Sequence, residues 1–198
     1  MSTSPATFPA TERQWTLPSR SRVGMFCLIA AESAVFVIFL VAYIFYIGKS
    51  LTGPTPREVL EIPIFNTVCL LSSSLTIHFA ARALQRGKTA TFKLFWFLTL
   101  ALGAIFLFGT GREWHRLIYS AGLTISTNLF GTTYYSLVGL HAFHVLAGLL
   151  GLTIVMLLAL AAKVTQEHAE HVDVFSLYWH FVDVVWVVVF TTVYVVGR

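Results

Sequence analysis

The chain is short of charge. Only 11% of its 198 residues are Asp, Glu, Lys or Arg, where a soluble domain carries about a quarter. With 57% apolar residues, that shortage excludes an ordinary soluble fold and intrinsic disorder. The net charge of +4 comes from basic residues scattered between apolar blocks. Such scatter orients a membrane protein and offers no nucleic-acid surface. Cysteine is scarce as well. Cys27 and Cys69 both lie inside apolar segments and read as small buried residues, not as a disulfide or a thiolate metal site. The sequence has no Gly-rich phosphate loop, no Cys-x-x-Cys-His haem attachment and no nucleophile elbow. Nor does it have a broken-helix pair of the transporter kind.

Long apolar runs are what it does have. Five stand out, at residues 23–47, 62–84, 92–110, 133–162 and 174–196. Each is near or above the roughly 20 residues a helix needs to cross hydrocarbon. They are too long, and alternate too little, to be membrane strands. A helix also satisfies its own backbone groups where there is no water. The runs predict an all-α polytopic membrane protein, with a bundle of five transmembrane helices over residues 22–198. An irregular cytoplasmic arm with Pro5, Pro9 and Pro18 precedes it over 1–21. The first run is too long for a cleavable signal peptide. Gly53-Pro54-Thr55-Pro56 reads as a turn, and Gln85-Arg86-Gly87-Lys88 as a short basic hairpin.

Sidedness follows from counting Lys and Arg. Arg13, Arg20, Arg22, Arg82, Arg86, Lys88, Lys93 and Lys163 fall on the side of the N terminus. Lys49, Arg57, Arg112, Arg116 and Arg198 fall on the other. The excess expects a cytoplasmic N terminus and a periplasmic C terminus.

Ionisable groups inside the bilayer are costly, and each is a functional hypothesis. Glu32 lies about 15 Å into the first helix, at 1.5 Å per residue. It reads either as a proton-exchanging carboxyl or as a hydrogen-bonded tie to a partner helix. His141 and His144 are three apart and share a face. They read as a structural hydrogen-bonding pair ahead of a metal or haem site, with His78 and His180 as the candidate partners for the latter. His180 and Asp183 are also three apart, so the imidazole and carboxylate can pair. Trp179 and Trp186 share roughly that face, which suggests a structural or subunit contact ahead of a proton relay. Gly148 and Gly151 suggest close helix packing. Glu113, His115 and Arg116 read as a charged helix end at the headgroups, with Trp114 as anchor and Arg112 or Arg116 as a lipid-phosphate contact.

Several stretches also carry a family likeness. Tyr178-Trp179-His180-Phe181-Val182-Asp183-Val184-Val185-Trp186 resembles the C-terminal helix signature of subunit III of haem-copper terminal oxidases, the cytochrome c oxidase subunit 3 family. Ala31-Glu32-Ser33 is similar to the family's helix bearing a buried carboxyl. Glu61-Ile62-Pro63-Ile64-Phe65-Asn66-Thr67 is similar to the start of its next helix. Gly139-Leu140-His141-Ala142-Phe143-His144-Val145 resembles its Gly-x-His-x-x-His-Val pattern. These motifs occur in family order across residues 22–198.

The resemblance implies a non-catalytic subunit of an aa3- or caa3-type cytochrome c oxidase in a bacterial inner membrane. Such a complex reduces dioxygen to water and pumps protons. The alternative is the equivalent subunit of an o-type quinol oxidase. By the same resemblance this chain binds no haem or copper, which belong to partner subunits I and II. A fourth subunit, membrane phospholipid and a respiratory supercomplex are further expected partners. The subunit supports assembly, proton uptake and stability of the catalytic subunit. Glu32 matches the carboxyl that reacts with carbodiimides in some relatives, and His141, His144, His180 and Asp183 match motif positions. The chain resembles the short five-helix bacterial form; the longer form has two more N-terminal helices enclosing a lipid cleft.

Overall fold

The computed structural model describes residues 19–198, so residues 1–18 of the expected arm lie outside the described part. The first helix, α1 (Arg20–Tyr46), starts where Ser19 accepts the Arg22 backbone N–H. A one-turn helix, α2 (Pro56–Val59), follows. Here the Thr55 backbone N–H donates to the Glu58 carboxylate at 2.9 Å and holds that carboxyl below its ordinary pKa. Then come α3 (Ile64–Gln85), α4 (Thr89–Tyr119) and α5 (Leu129–Leu160). A 3-10 turn (Gln166–His168) leads into α6 (Ala169–Phe190), whose last stretch (Thr191–Val196) widens to π geometry. Five of these helical segments are long and apolar enough to cross a membrane.

Tight turns join the long helices. Gly87, at φ 71°, lets α3 reverse into α4 within three residues, a left-handed conformation that favours glycine. Asn128 caps α5 by accepting the Gly131 N–H at 2.8 Å. Its amide also donates to the Thr52 and Pro54 carbonyls, tying the start of α5 to the α1–α2 connection. At the opposite end Arg22 pairs with Asp173 at 2.6 Å, and the Gln166 side chain donates to the Gln85 carbonyl.

The apolar run expected to stop at residue 110 continues as helix to Tyr119. Hydropathy marks where lipid ends, not where a helix must end. Past Thr110 two of the charged side chains find partners: Arg116 pairs with Glu61, and Glu113 is held from α6.

Helices α5 and α6 form the middle of the bundle. α5 packs on α1, α4 and α6, while α6 packs on α1, α3 and α5. α1 is peripheral and buries only Phe36 and Tyr43 fully. Lipid tails are as apolar as leucine, so close packing and hydrogen bonds must hold the helices together. Trp179 shows how. Its indole is wholly buried between Gly103 of α4 and Gly148 of α5. A Cβ on Gly148 would come 2.7 Å from that ring, and one on Gly103 2.9 Å. Three buried indoles donate across helices: Trp96 to the Leu152 carbonyl, Trp179 to Ser73 Oγ and Trp186 to Thr67 Oγ1.

Candidate functional site

Two clusters that set a carboxyl near a histidine lie in the bundle. The first joins α1 to α5. Glu32 Oε2 lies 3.1 Å from His144 Nε2. His144 Nδ1 lies 2.8 Å from the Leu140 carbonyl oxygen one turn back. A carbonyl can only accept, so Nδ1 carries a proton. Nε2 then faces the carboxyl either as an imidazolium donor or as a neutral acceptor. In both cases one proton lies between the two side chains. Phe36 packs on the imidazole with ring centroids 4.9 Å apart, and the Tyr178 hydroxyl donates to the His144 carbonyl. The Glu32 side chain remains 30% exposed on the flank of α1, while His144 is 9% exposed.

The second cluster joins α3 to α6. The expected direct contact between His180 and Asp183 is replaced by a bridge. The Ser74 hydroxyl donates to Asp183 Oδ2, and His180 Nδ1 lies 2.9 Å from Ser74 Oγ. The three-residue spacing puts both groups on one side of α6, but a serine from the neighbouring helix fits between them. Asp183 is 3% exposed, and its Oδ1 has no hydrogen-bond partner among the described residues.

His141 and His144 do not form the expected hydrogen-bonding pair. His141 is fully buried, stacks on Trp186 at 5.0 Å and meets the Phe106 ring edge-on. Neither of its ring nitrogens has a hydrogen-bond partner among the described residues. His78 stays exposed against Phe79. Among the described residues, no group of three or more His, Cys, Asp or Glu could hold a metal ion.

Glu113 corrects the reading of a plain charged helix end. It turns inward, and the Tyr194 hydroxyl lies 3.1 Å from both carboxylate oxygens, with Tyr134 beyond it at 3.2 Å. Arg112 and Arg116 line a cavity of about 450 Å³ with Glu61, Asn66 and His115. Arg116 is engaged there by Glu61 and also donates to the Val59 carbonyl, whereas Arg112 is exposed.

Sequence reasoning missed Ser73, Ser74, Thr67 and Tyr194. Hydroxyls are common in membrane helices and can satisfy themselves on the preceding turn, as Ser33 does on the Ile29 carbonyl. Only the partner across the interface distinguishes Ser74.

This arrangement ties α1 to α5 through an acid–imidazole contact and α3 to α6 through the serine bridge. The family described as cytochrome c oxidase subunit III matches residues 11–198. Cytochrome c oxidase subunit 3 of Corynebacterium diphtheriae is 41% identical over 182 residues, covering 89% of this chain and 88% of the relative. That of Alkalihalophilus pseudofirmus is 31% identical, covering 96% and 93%, and that of Bacillus sp. PS3 is 33% identical, covering 96% and 94%. With five membrane-length helices and these bacterial relatives, the protein is a multi-pass protein of the bacterial inner membrane. The chain belongs to the cytochrome c oxidase subunit III family, the accessory subunit of haem-copper oxidases.

Proposed function

We propose that this chain is subunit III of a proton-pumping aa3- or caa3-type cytochrome c oxidase. In this reading it packs against subunits I and II, which hold the haems and copper. It faces the cytoplasm with its N terminus and the periplasm with its C terminus, following its Lys and Arg distribution. The single observation that carries the reading is the family match over residues 11–198. The relatives' name, cytochrome c oxidase, favours that electron donor over a quinol.

Glu32 and His144 would support proton uptake, since their geometry keeps a proton between them on the open flank of α1. The Ser74 bridge and the Trp179 and Trp186 contacts would hold the surface that the catalytic subunit meets. Arg112, with Arg116, would contact a lipid phosphate at the helix end.

The test is to purify the oxidase with and without this chain. Without it, initial oxygen reduction should persist while activity decays faster over repeated turnovers. Immediate loss of all haem from the remaining complex would overturn the accessory role. Oxidation of a quinol but not of reduced cytochrome c would move the assignment to the quinol branch.

A further inference from the structure

A different cavity, of about 400 Å³, opens at the end of the bundle that holds Arg198. It lies between the end of α1, the chain around Ser50 and Arg57, the start of α5 and the last residues of the chain. Tyr43 lines it. This side chain is 1% exposed, and its hydroxyl has no hydrogen-bond partner among the described residues. A buried phenol without a partner costs free energy, so such groups are normally satisfied. Gly197 makes room beside it: a Cβ there would come 2.7 Å from the hydroxyl oxygen.

The charged side chains that line the cavity are both basic. Arg57 and Arg198 line the cavity, both exposed, and neither forms an ion pair among the described residues. No acidic side chain lines it. Glu58, next to Arg57, has its carboxylate occupied by the Thr55 N–H. Ser50 Oγ accepts the Phe130 N–H, which leaves the serine's own O–H to donate. Ile47, Phe130 and Val196 add apolar wall.

A water molecule would satisfy Tyr43 but would make no use of the two guanidinium groups. Two arginines with hydroxyl donors, set over an apolar wall, match a phosphate oxyanion carried on a greasy body. We propose that this cavity binds a phosphate group, held by Arg57 and Arg198 and hydrogen-bonded by the buried Tyr43 hydroxyl. The phosphate is either the head of an anionic phospholipid or free inorganic phosphate. The cavity shares no residue with the one lined by Arg112 and Arg116.

The test uses the intact complex that contains this chain, purified into nanodiscs. In discs mixing phosphatidylglycerol with phosphatidylcholine, native mass spectrometry should find one more phosphatidylglycerol on the wild type than on the Arg57→Gln/Arg198→Gln double variant. The occupancy of that lipid should fall roughly tenfold in the double variant. Tyr43→Phe keeps the ring and removes only the donor, so occupancy should fall by about threefold. In discs of phosphatidylcholine alone, labelled inorganic phosphate is offered instead; binding lost in the double variant would assign the site to free phosphate. Both arginines are exposed, so the variants should retain their partner subunits, which is checked on the same spectra. Equal retention of both ligands by wild type and double variant, with assembly intact, would overturn the proposal.

Discussion

Glu32 and Asp183 are both carboxyls set in apolar helices, and both sit beside a histidine. Their surroundings nevertheless differ in kind. Glu32 stands on the outermost helix, is 30% exposed along its side chain and meets His144 directly. Asp183 lies in the central helix, is 3% exposed and reaches His180 only through Ser74. The first is open on one side. The second is enclosed, with its polar contact drawn from another helix of the same bundle. What separates them is the place of their helices in the bundle. A carboxyl on a peripheral helix keeps a route outward, while one between packed helices becomes part of the packing.

The largest expected break in this comparison is Asp183→Leu. It removes the Ser74 hydroxyl's acceptor on α6 and places a branched side chain in a closed site, which should destabilise the chain by about 1–3 kcal/mol. Chemical denaturation in detergent and the recovery of co-purifying subunits measure it. Wild-type stability would show that the bridge contributes nothing.

Reactivity should separate the two acids next. A hydrophobic carbodiimide should label Glu32 faster than Asp183, by on the order of tenfold, because labelling the enclosed acid needs local opening. Peptide mass spectrometry over a time course gives the ratio, and equal rates would erase the distinction.

Ser74→Ala should cost about 1 kcal/mol, since it removes the donor to Asp183 and the partner of His180 together. Combined with Asp183→Leu, it should add little, because both changes remove one network. Additive losses in a double-mutant cycle would mean that the serine and the aspartate act separately.

Glu32→Gln should have the smallest effect on stability, within about 0.5 kcal/mol. The amide N–H can donate to His144 Nε2 while Nδ1–H still donates to Leu140, so the hydrogen bonds survive without the shared proton. Assembly should be normal. If the complex does not form, the carboxylate has a structural duty that the amide cannot meet.

Much of this was legible before any coordinates. The five spans were, because hydropathy over some twenty residues reflects the lipid and not the neighbours. Gly148 and Gly151 were legible as packing points, and the structure sets Trp179 and Phe175 against them. Glu32 stood out because a lone acid in an apolar run has no local explanation. The site's pairings were less legible. His141 and His144 share a spacing with His180 and Asp183, yet one histidine stacks on Trp186, one meets Glu32, and one reaches a serine. Spacing places side chains on a face but does not say what faces them.

What the sequence determined alone was the number of crossings, their helical nature and the few polar positions within them. Each of these follows from local chemistry, namely the cost of bare backbone and of charge in hydrocarbon. Tertiary structure decided the rest: Ser74 between His180 and Asp183, Glu113 turned toward Tyr194, and the Tyr43 hydroxyl left facing a cavity. Those outcomes depend on how the helices rotate against one another, and that rotation is set by the fit of large rings against glycines on other helices.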